Sequence, residues 1–124
     1  MIINGNVPSK SNSYKVITIN GHGSIGKTDK LEAYERSFYL QCKHRGLKID
    51  RPFKLFVDIY YESNRPDLDN GLKVILDCLQ YAGVVKNDRN CIEIVARKLV
   101  DKTNPRAEIT LEVLERNGGT NTLR

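Results

Sequence analysis

The sequence predicts an α+β (mixed α/β) fold, in which a mixed β-sheet of about five short strands carries two helices. Three observations favour this class. Apolar residues alternate over 53–61, which is typical of a strand with one buried face. They recur every three or four residues over 28–43 and 70–82, which is typical of amphipathic helices. Two more β-rich segments, 91–100 and 106–114, follow the second helix.

The N-terminal third predicts two short strands, a loop and the first helix. The β-rich runs 1–4 and 14–20 are separated by a segment whose Gly, Pro, Ser and Asn content is typical of a loop. The helix is expected from about Thr28 to about Lys43, with Thr28 or Asp29 as its N-cap. Its apolar stripe would consist of Leu31, Tyr34, Phe38 and Cys42.

A central strand and a second helix follow, and then two further strands. The central strand has five apolar residues on one face: Phe53, Leu55, Val57, Ile59 and Tyr61. The second helix is expected from Asn70 to about Ala82, with Gly83 as its stop. Its apolar side would be formed by Leu72, Ile75, Leu76 and Leu79. Asp101–Pro105 is expected to join the last two strands as a hairpin turn, and residues 116–124 to form a flexible tail.

Composition and charge exclude several classes of protein. The 124 residues are enough for one domain, expected over 1–124, but too few for two. A hydrophobic share of 40% and a charged share of 28% are typical of a folded chain rather than a disordered one. No apolar run approaches the roughly 20 residues of a membrane span, and the N-terminal residues lack a signal-peptide pattern. Lys and Arg outnumber Asp and Glu by 20 to 15, which favours polyanionic partners, nucleic acid above all.

The cysteines indicate the cellular compartment. Cys42, Cys78 and Cys91 are odd in number and show no C-x-x-C spacing. This pattern argues against a disulfide framework and against a cysteine-ligated zinc site. We therefore expect a reducing, cytoplasmic location.

Residues 21–28, GHGSIGKT, match the G-x-x-x-x-G-K-[ST] pattern of a phosphate-binding loop. They follow a predicted strand and precede a helix, so the glycine amides and Lys27 could cradle phosphates. A nucleotide-binding fold of that type needs several parallel strands with crossover helices, however, and Asp58 lies mid-strand, where it is a poor Mg²⁺ ligand. We interpret the segment as a Gly-rich hairpin tip and expect no nucleotide cofactor, with a P-loop enzyme as the less favoured alternative.

Asp67 and Asp69 lie between the central strand and the second helix. In an extended segment, side chains two residues apart point the same way, so both carboxylates could face one point. The alternative is a turn in which Asp69 or Asn70 caps the helix. Asp88 lies in the loop after the helix and could return towards the first pair. Three carboxylates at one point would suit Mg²⁺ or Mn²⁺.

Basic residues flank both limbs of this acidic group. A metal that neutralises phosphate, with cations that hold the backbone, is what phosphodiester chemistry needs. Lys73 shares a helix face with Asp69 and could reach a phosphate in the transition state; its alternative is an i,i+4 ion pair with Asp77. The predicted DNA contacts are Lys10, Arg65, Lys73, Lys86 and Arg89.

The stretch PDLDNGLKVILDCLQYAGVVKND resembles the signature of the RusA family of Holliday junction resolvases, found in bacteria and their phages. The elements that match, in order and spacing, are Asp67, Asp69, Asn70, Lys73, Asp77, Ala82-Gly83 and Asp88. The segments GNVPSKSNSYK and GKTDKLEAYERSF also resemble the N-terminal segment and first helix of that family. One departure is Asn87, which stands where many relatives have a second acid.

The resemblance implies a single RusA-like domain and a Mg²⁺-dependent endonuclease, with Mn²⁺ as a substitute. Such an enzyme works as a homodimer on four-way DNA junctions, in recombination and repair, and makes paired symmetrical nicks. Asp67, Asp69 and Asp88 would be the metal ligands, and Lys73 would complete the catalytic set. A junction-binding protein without catalysis is the alternative from another class.

The sequence does not indicate a dimer surface. Ile92, Ile94 and Ala96, or the N-terminal strand, could pair across a two-fold axis, but each could equally be a core strand. We interpret them as core.

Overall fold

The computed structural model describes residues 1–124 and confirms the α+β class, with two helices, a five-stranded mixed sheet and a second sheet of two strands. In chain order the elements are β1 (Ile2–Asn4), β2 (Tyr14–Ile19), β3 (His22–Lys27), α1 (Asp29–Gln41), β4 (Phe53–Tyr61), α2 (Leu68–Tyr81), a short 3₁₀ helix (Asp88–Asn90), β5 (Cys91–Val100), β6 (Arg106–Leu114) and β7 (Thr120–Leu123).

The central strand of the main sheet is β4. It runs parallel to β5 on one side and antiparallel to β6 on the other. β1 and β7 both pair antiparallel with the far side of β6, at its two ends. The order β1-β6-β4-β5 therefore leaves β5 at the edge of the sheet.

The alternation predicted for β4 is confirmed, because its inward side chains are buried without exception. Phe53, Leu55 and Ile59 have no exposed surface, and Val57 and Tyr61 are 2% exposed. They belong to one core of 22 buried residues that includes the inner faces of α1, α2 and β6. Removing such surface from water is the main stabilising term of the fold.

The helices lie close to the predicted ranges. Thr28 caps α1, and its Oγ1 accepts a hydrogen bond from the Leu31 amide at 3.2 Å. α2 begins at Leu68, two residues before the expected start, with Asp67 in the N-cap position. Gly83 follows the end of α2 with φ +70°, a left-handed conformation that favours glycine.

The hairpin expected at Asp101–Pro105 is wrong. β5 and β6 both pair with β4, on opposite sides, so their connection passes the end of β4 instead of turning back. The Asp101 amide donates a hydrogen bond to the Tyr61 carbonyl at 2.8 Å, at the crossing point. Alternation of apolar residues identifies a strand but does not identify the strand that pairs with it, so the sequence pattern does not distinguish a hairpin from this crossover.

Residues 21–28 form more than the predicted hairpin tip. His22–Lys27 is a full strand, β3, and it pairs with β2 in a two-stranded sheet. The turn is Asn20-Gly21, with φ values of 50° and 79°. Two positive φ angles in a two-residue loop are typical of a type I′ hairpin, for which Asn-Gly is the favoured sequence.

Two further expectations about strands differ from the structure. Within the tail 116–124, which was expected to be flexible, Thr120–Leu123 forms β7 and pairs with residues Leu111–Leu114 of β6. Ile92 and Ile94 of β5, which we interpreted as core, are 56% and 41% exposed. β5 has a neighbour on one side, and its inner face is incompletely covered.

Candidate active site at the start of α2

The acidic pair lies where β4 is connected to α2. Asp67 has extended backbone (φ −81°, ψ 134°), whereas Asp69 already belongs to the first helical turn. The two carboxylates therefore do not lie on one extended segment, as we had predicted, because the helix starts earlier than expected. Their negative charges lie at the positive end of the α2 dipole, which stabilises them there.

Neither carboxylate of this pair has a partner in the chain. Asp67 makes no side-chain capping bond despite its N-cap position. Both side chains are exposed, and neither forms an ion pair, unlike Asp77 and Asp88 further along. In a chain of net charge +5, two adjacent unpaired carboxylates are available to a cation from solution.

Tyr61 packs beneath the acidic pair because residue 71 is glycine. A Cβ at Gly71 would lie 1.9 Å from the Tyr61 hydroxyl oxygen, so no larger residue fits with the ring in place. Burial, followed by the charges of Asp67 and Asp69, raises the pKa of Tyr61 to about 12. Both carboxylates therefore lie close enough to influence the same phenol.

Lys73 connects the helix to the third predicted ligand. Its Nζ lies 3.2 Å from Asp88 Oδ2 and 3.4 Å from Asp77 Oδ1. Asp77 Oδ2 also accepts a hydrogen bond from Lys10 Nζ at 2.7 Å, and Lys10 Nζ donates a second hydrogen bond to the Tyr14 hydroxyl. The hydrogen bond to Asp88 is the largest cause of the raised pKa of Lys73. The predicted i,i+4 pair is thus present, as one link in a longer chain of charges.

Two further hydrogen bonds stabilise the backbone around Asp88. Its backbone amide donates to Gln80 Oε1 of α2 at 3.0 Å. Asn87 caps the 3₁₀ helix, since its Oδ1 accepts a hydrogen bond from the Arg89 amide at 3.0 Å. The side chain of Asn87 therefore has a local structural role, at a position where relatives were expected to carry an acid.

The N-terminal loop is bound to α2 by two residues of the acidic motif. Asn70 Oδ1 accepts a hydrogen bond from the Ser11 amide at 3.2 Å, and Asp77 pairs with Lys10. The sequence did not reveal these contacts because the residues are far apart in the chain. They explain why Asn70 and Asp77 accompany the predicted ligands.

The three predicted metal ligands have suitable donor atoms but are not gathered together. No group of three acidic, histidine or cysteine side chains is arranged to hold a metal ion. Asp67 and Asp69 are unpaired at the start of α2, while Asp88 is engaged by Lys73. Their carboxylate oxygens are the hard donors that Mg²⁺ and Mn²⁺ prefer. The donor chemistry fits, and the common ligation of one cation stays a prediction.

Residues 7–112, which include all the residues of the candidate site, match the family described as endodeoxyribonuclease RusA. The chain belongs to the RusA family. No individual curated protein matches it. The match confirms the predicted resemblance and extends from the N-terminal loop to β6. None of the helices in this RusA-family chain is long and apolar enough to cross a membrane.

The residues predicted to contact DNA differ in their exposure and in whether they form ion pairs within the chain. Arg65 and Arg89 are exposed and form no ion pair, and Lys86 lies 3.4 Å from Asp50 with its side chain 66% exposed. Arg65 lies in an open polar cleft of about 430 Å³ that is also lined by Asp67. Lys10, by contrast, is bonded to Asp77. Three of the predicted cations are thus accessible beside the acidic residues, and Lys10 anchors a loop.

The structure disfavours phosphate binding at residues 21–28. Lys27 Nζ lies 2.9 and 3.1 Å from the two carboxylate oxygens of Glu35, which is 9% exposed. This hydrogen bond is the largest cause of the raised pKa of Lys27. The amides of Gly23 and Gly26 lie in strand β3 instead of forming a loop around an anion.

Proposed function

We propose that this chain is a Mg²⁺-dependent endonuclease that resolves four-way DNA junctions by paired, symmetrical nicks in recombination and repair. Membership of the RusA endodeoxyribonuclease family supports a nuclease. The observation that carries the assignment of the site is the unpaired Asp67–Asp69 pair at the start of α2, the helix whose Lys73 forms an ion pair with Asp88.

Each residue has a role that follows from its chemistry. Asp67, Asp69 and Asp88 would hold the divalent cation, which when bound neutralises phosphate charge and lowers the pKa of a water molecule. Lys73 keeps Asp88 in place and carries the positive charge that would stabilise the phosphate in the transition state. Arg65, Lys86 and Arg89 provide exposed charge for the DNA backbone.

A homodimer follows from the substrate. One site cuts one strand, whereas resolution of a junction needs two cuts related by two-fold symmetry. A C₂ dimer supplies two sites with that relation. The branched DNA and a second copy of the chain are therefore the proposed partners.

The first experiment compares a synthetic mobile four-way junction with a plain duplex of the same sequence, in Mg²⁺. We expect paired nicks in the junction and none in the duplex. Asp69→Asn should abolish nicking and retain or strengthen junction binding, because it removes a ligand and a charge that repels phosphate. The matched control is Asp29→Asn, which changes an exposed aspartate in the first turn of α1.

Two outcomes would overturn the proposal. Full activity of Asp69→Asn would remove the proposed ligand set. A junction that is bound but left uncut, with Mn²⁺ as well as Mg²⁺, would indicate a non-catalytic branched-DNA-binding protein instead.

A further inference from the structure

The C-terminal ends of α1 and α2 form an exposed surface that the proposed function does not use. Tyr39, near the end of α1, meets Tyr81, the last residue of α2, edge to face, with ring centroids 6.4 Å apart. The Arg45 guanidinium lies over the Tyr39 ring, 5.3 Å from its centroid. Arg45 Nη1 also donates hydrogen bonds to the carbonyls of Tyr39 and Leu40, each at 3.2 Å. These contacts fix both tyrosines and the arginine relative to one another.

Large apolar side chains are exposed at this position. Leu40 is 74% exposed, Tyr81 57% and Tyr39 43%. They have no cover within the chain, because the buried side of α1 is formed by other residues, such as Phe38. An exposed apolar group with charge around it marks an interaction site, and tyrosine and arginine are enriched at the centres of protein interfaces.

The charge around these apolar residues is positive and unpaired. Every charged residue from Arg36 to Lys48 is basic, and the segment 78–87 around Tyr81 also contains no acidic residue. None of the basic residues from Arg36 to Lys48 forms an ion pair with a carboxylate. The neighbouring acid, Glu35, is buried and bonded to Lys27. This surface therefore offers uncompensated positive charge to a partner.

We propose that this surface binds an acidic peptide segment of another protein. The basic aromatic surface, as we call it, consists of Arg36, Tyr39, Leu40, Lys43, Arg45 and Tyr81. An apolar side chain of the peptide packs against the two tyrosines and Leu40, which removes their exposed area from water. Carboxylates on either side of that side chain pair with the arginines and Lys43.

Two other occupants fit this surface less well. A second copy of the chain would bring the same basic residues against each other, and like charges in an interface are costly. DNA would satisfy the positive charge but not Leu40, because protein–DNA interfaces are more polar than those between proteins. At about 1.5 Å per residue, Tyr81 lies roughly 18 Å along α2 from Asp69. A bound peptide therefore leaves the candidate active site free, and the inference does not depend on nuclease activity.

The test measures the binding of labelled peptides to the full chain by fluorescence anisotropy, at an ionic strength of about 0.15 M. The probe is a twelve-residue peptide in which two aspartates and a phenylalanine repeat. One control peptide has serine in place of phenylalanine, and the other has lysine in place of aspartate. We expect the serine peptide to bind about tenfold more weakly than the probe, and the lysine peptide not to bind.

Two substitutions locate the binding on the chain, each with a matched control. Lys43→Glu should weaken binding of the probe by about tenfold, and Lys102→Glu, at another exposed lysine, should have a much smaller effect. Leu40→Ser should weaken it by about fivefold or more, whereas Ile25→Ser, at an isoleucine that is 73% exposed, should not. All four positions are exposed, and circular dichroism verifies that each variant folds.

Three results would overturn the proposal. One is equal binding of the aspartate and lysine peptides, and another is an equal effect of each substitution and its control. The third is competition by a four-way junction, together with a loss of junction affinity in Lys43→Glu and Leu40→Ser as large as the loss of peptide affinity. That result would assign the surface to DNA. A chain that binds the probe as expected but nicks no junction would support this inference and contradict the proposed function.

Discussion

Replacement of Gly71 by alanine tests whether Tyr61 and α2 depend on each other. The added Cβ would lie 1.9 Å from the Tyr61 hydroxyl oxygen, 3.2 Å from its Cζ and 3.4 Å from Ile59 Cδ1. Tyr61 is 2% exposed and Ile59 is fully buried, so neither can move aside without disturbing the core. The ring or the start of the helix must therefore shift.

The expected size of the effect follows from two opposing contributions. Alanine is favoured over glycine in a helix by about 1 kcal/mol. Overpacking of a core costs about 1–3 kcal/mol. We expect Gly71→Ala to lower the free energy of unfolding by up to about 2 kcal/mol, because the steric cost outweighs the helical gain.

The decisive comparison introduces Gly71→Ala into a chain that also carries Tyr61→Phe. Without the hydroxyl, the nearest ring atom to the new Cβ is Cζ at 3.2 Å, a contact that small adjustments relieve. Gly71→Ala should then be neutral or stabilising by up to about 1 kcal/mol. Urea unfolding of the four proteins gives both values and a coupling energy of about 1–3 kcal/mol. If Gly71→Ala stabilises the chain with Tyr61 intact, the described contact does not exist.

Three further predictions concern charged residues. Lys73→Ala should lower the single-turnover nicking rate far more than junction affinity; a salt-dependent loss of affinity alone would make Lys73 a phosphate anchor. Asp77→Asn should slow nicking by about tenfold or more, because it releases Lys73 and Lys10 from a shared carboxylate, and Asp77→Glu should recover part of the rate. The hydrogen bonds from Arg97 lower the pKa of Asp58, so this carboxylate stabilises the fold above its unfolded pKa and ceases to do so as pH falls through the lower folded value. Asp58→Asn should therefore reduce the loss of stability below about pH 4, measured by urea unfolding at acidic and neutral pH.

Local patterns predicted those parts of the fold that depend on neighbours in sequence. The alternation of β4 identified its buried side chains, and Thr28 and Gly83 were correctly placed at helix boundaries. The type I′ turn at Asn20-Gly21 could also have been found, since the dipeptide was available as a signal. These features depend on backbone preferences and burial within a few residues.

Strand partners could not be predicted in the same way. Apolar alternation is the same for a strand beside β4 and for one beside β6, so the connection at Asp101–Pro105 was assigned the wrong geometry. The exposure of Ile92 and Ile94 also depends on the position of β5 at the edge, which is a property of the whole sheet. A strand that is uncovered at the edge of a sheet can have the same sequence pattern as a strand in the core.

The candidate site shows the same division. Its residue types and order were evident from the motif, and the family match covers them. The sequence did not indicate the contacts of Lys10 with Asp77 and of Asn70 with Ser11, because these contacts join the N-terminal loop to a helix far along the chain. The early start of α2 likewise changed the relation of Asp67 to Asp69.

The central position of β4 has a consequence for synthesis of the chain. β4 is the most apolar strand of the sheet, and its antiparallel neighbour β6 comes much later in the sequence. At about 5–20 residues per second, the ribosome adds Arg106 roughly 2–9 seconds after Tyr61. During that interval β4 is without the strand that covers one of its edges, and such a strand is prone to aggregate. Production of the protein is therefore expected to depend on translation rate and on chaperones that shield nascent chains.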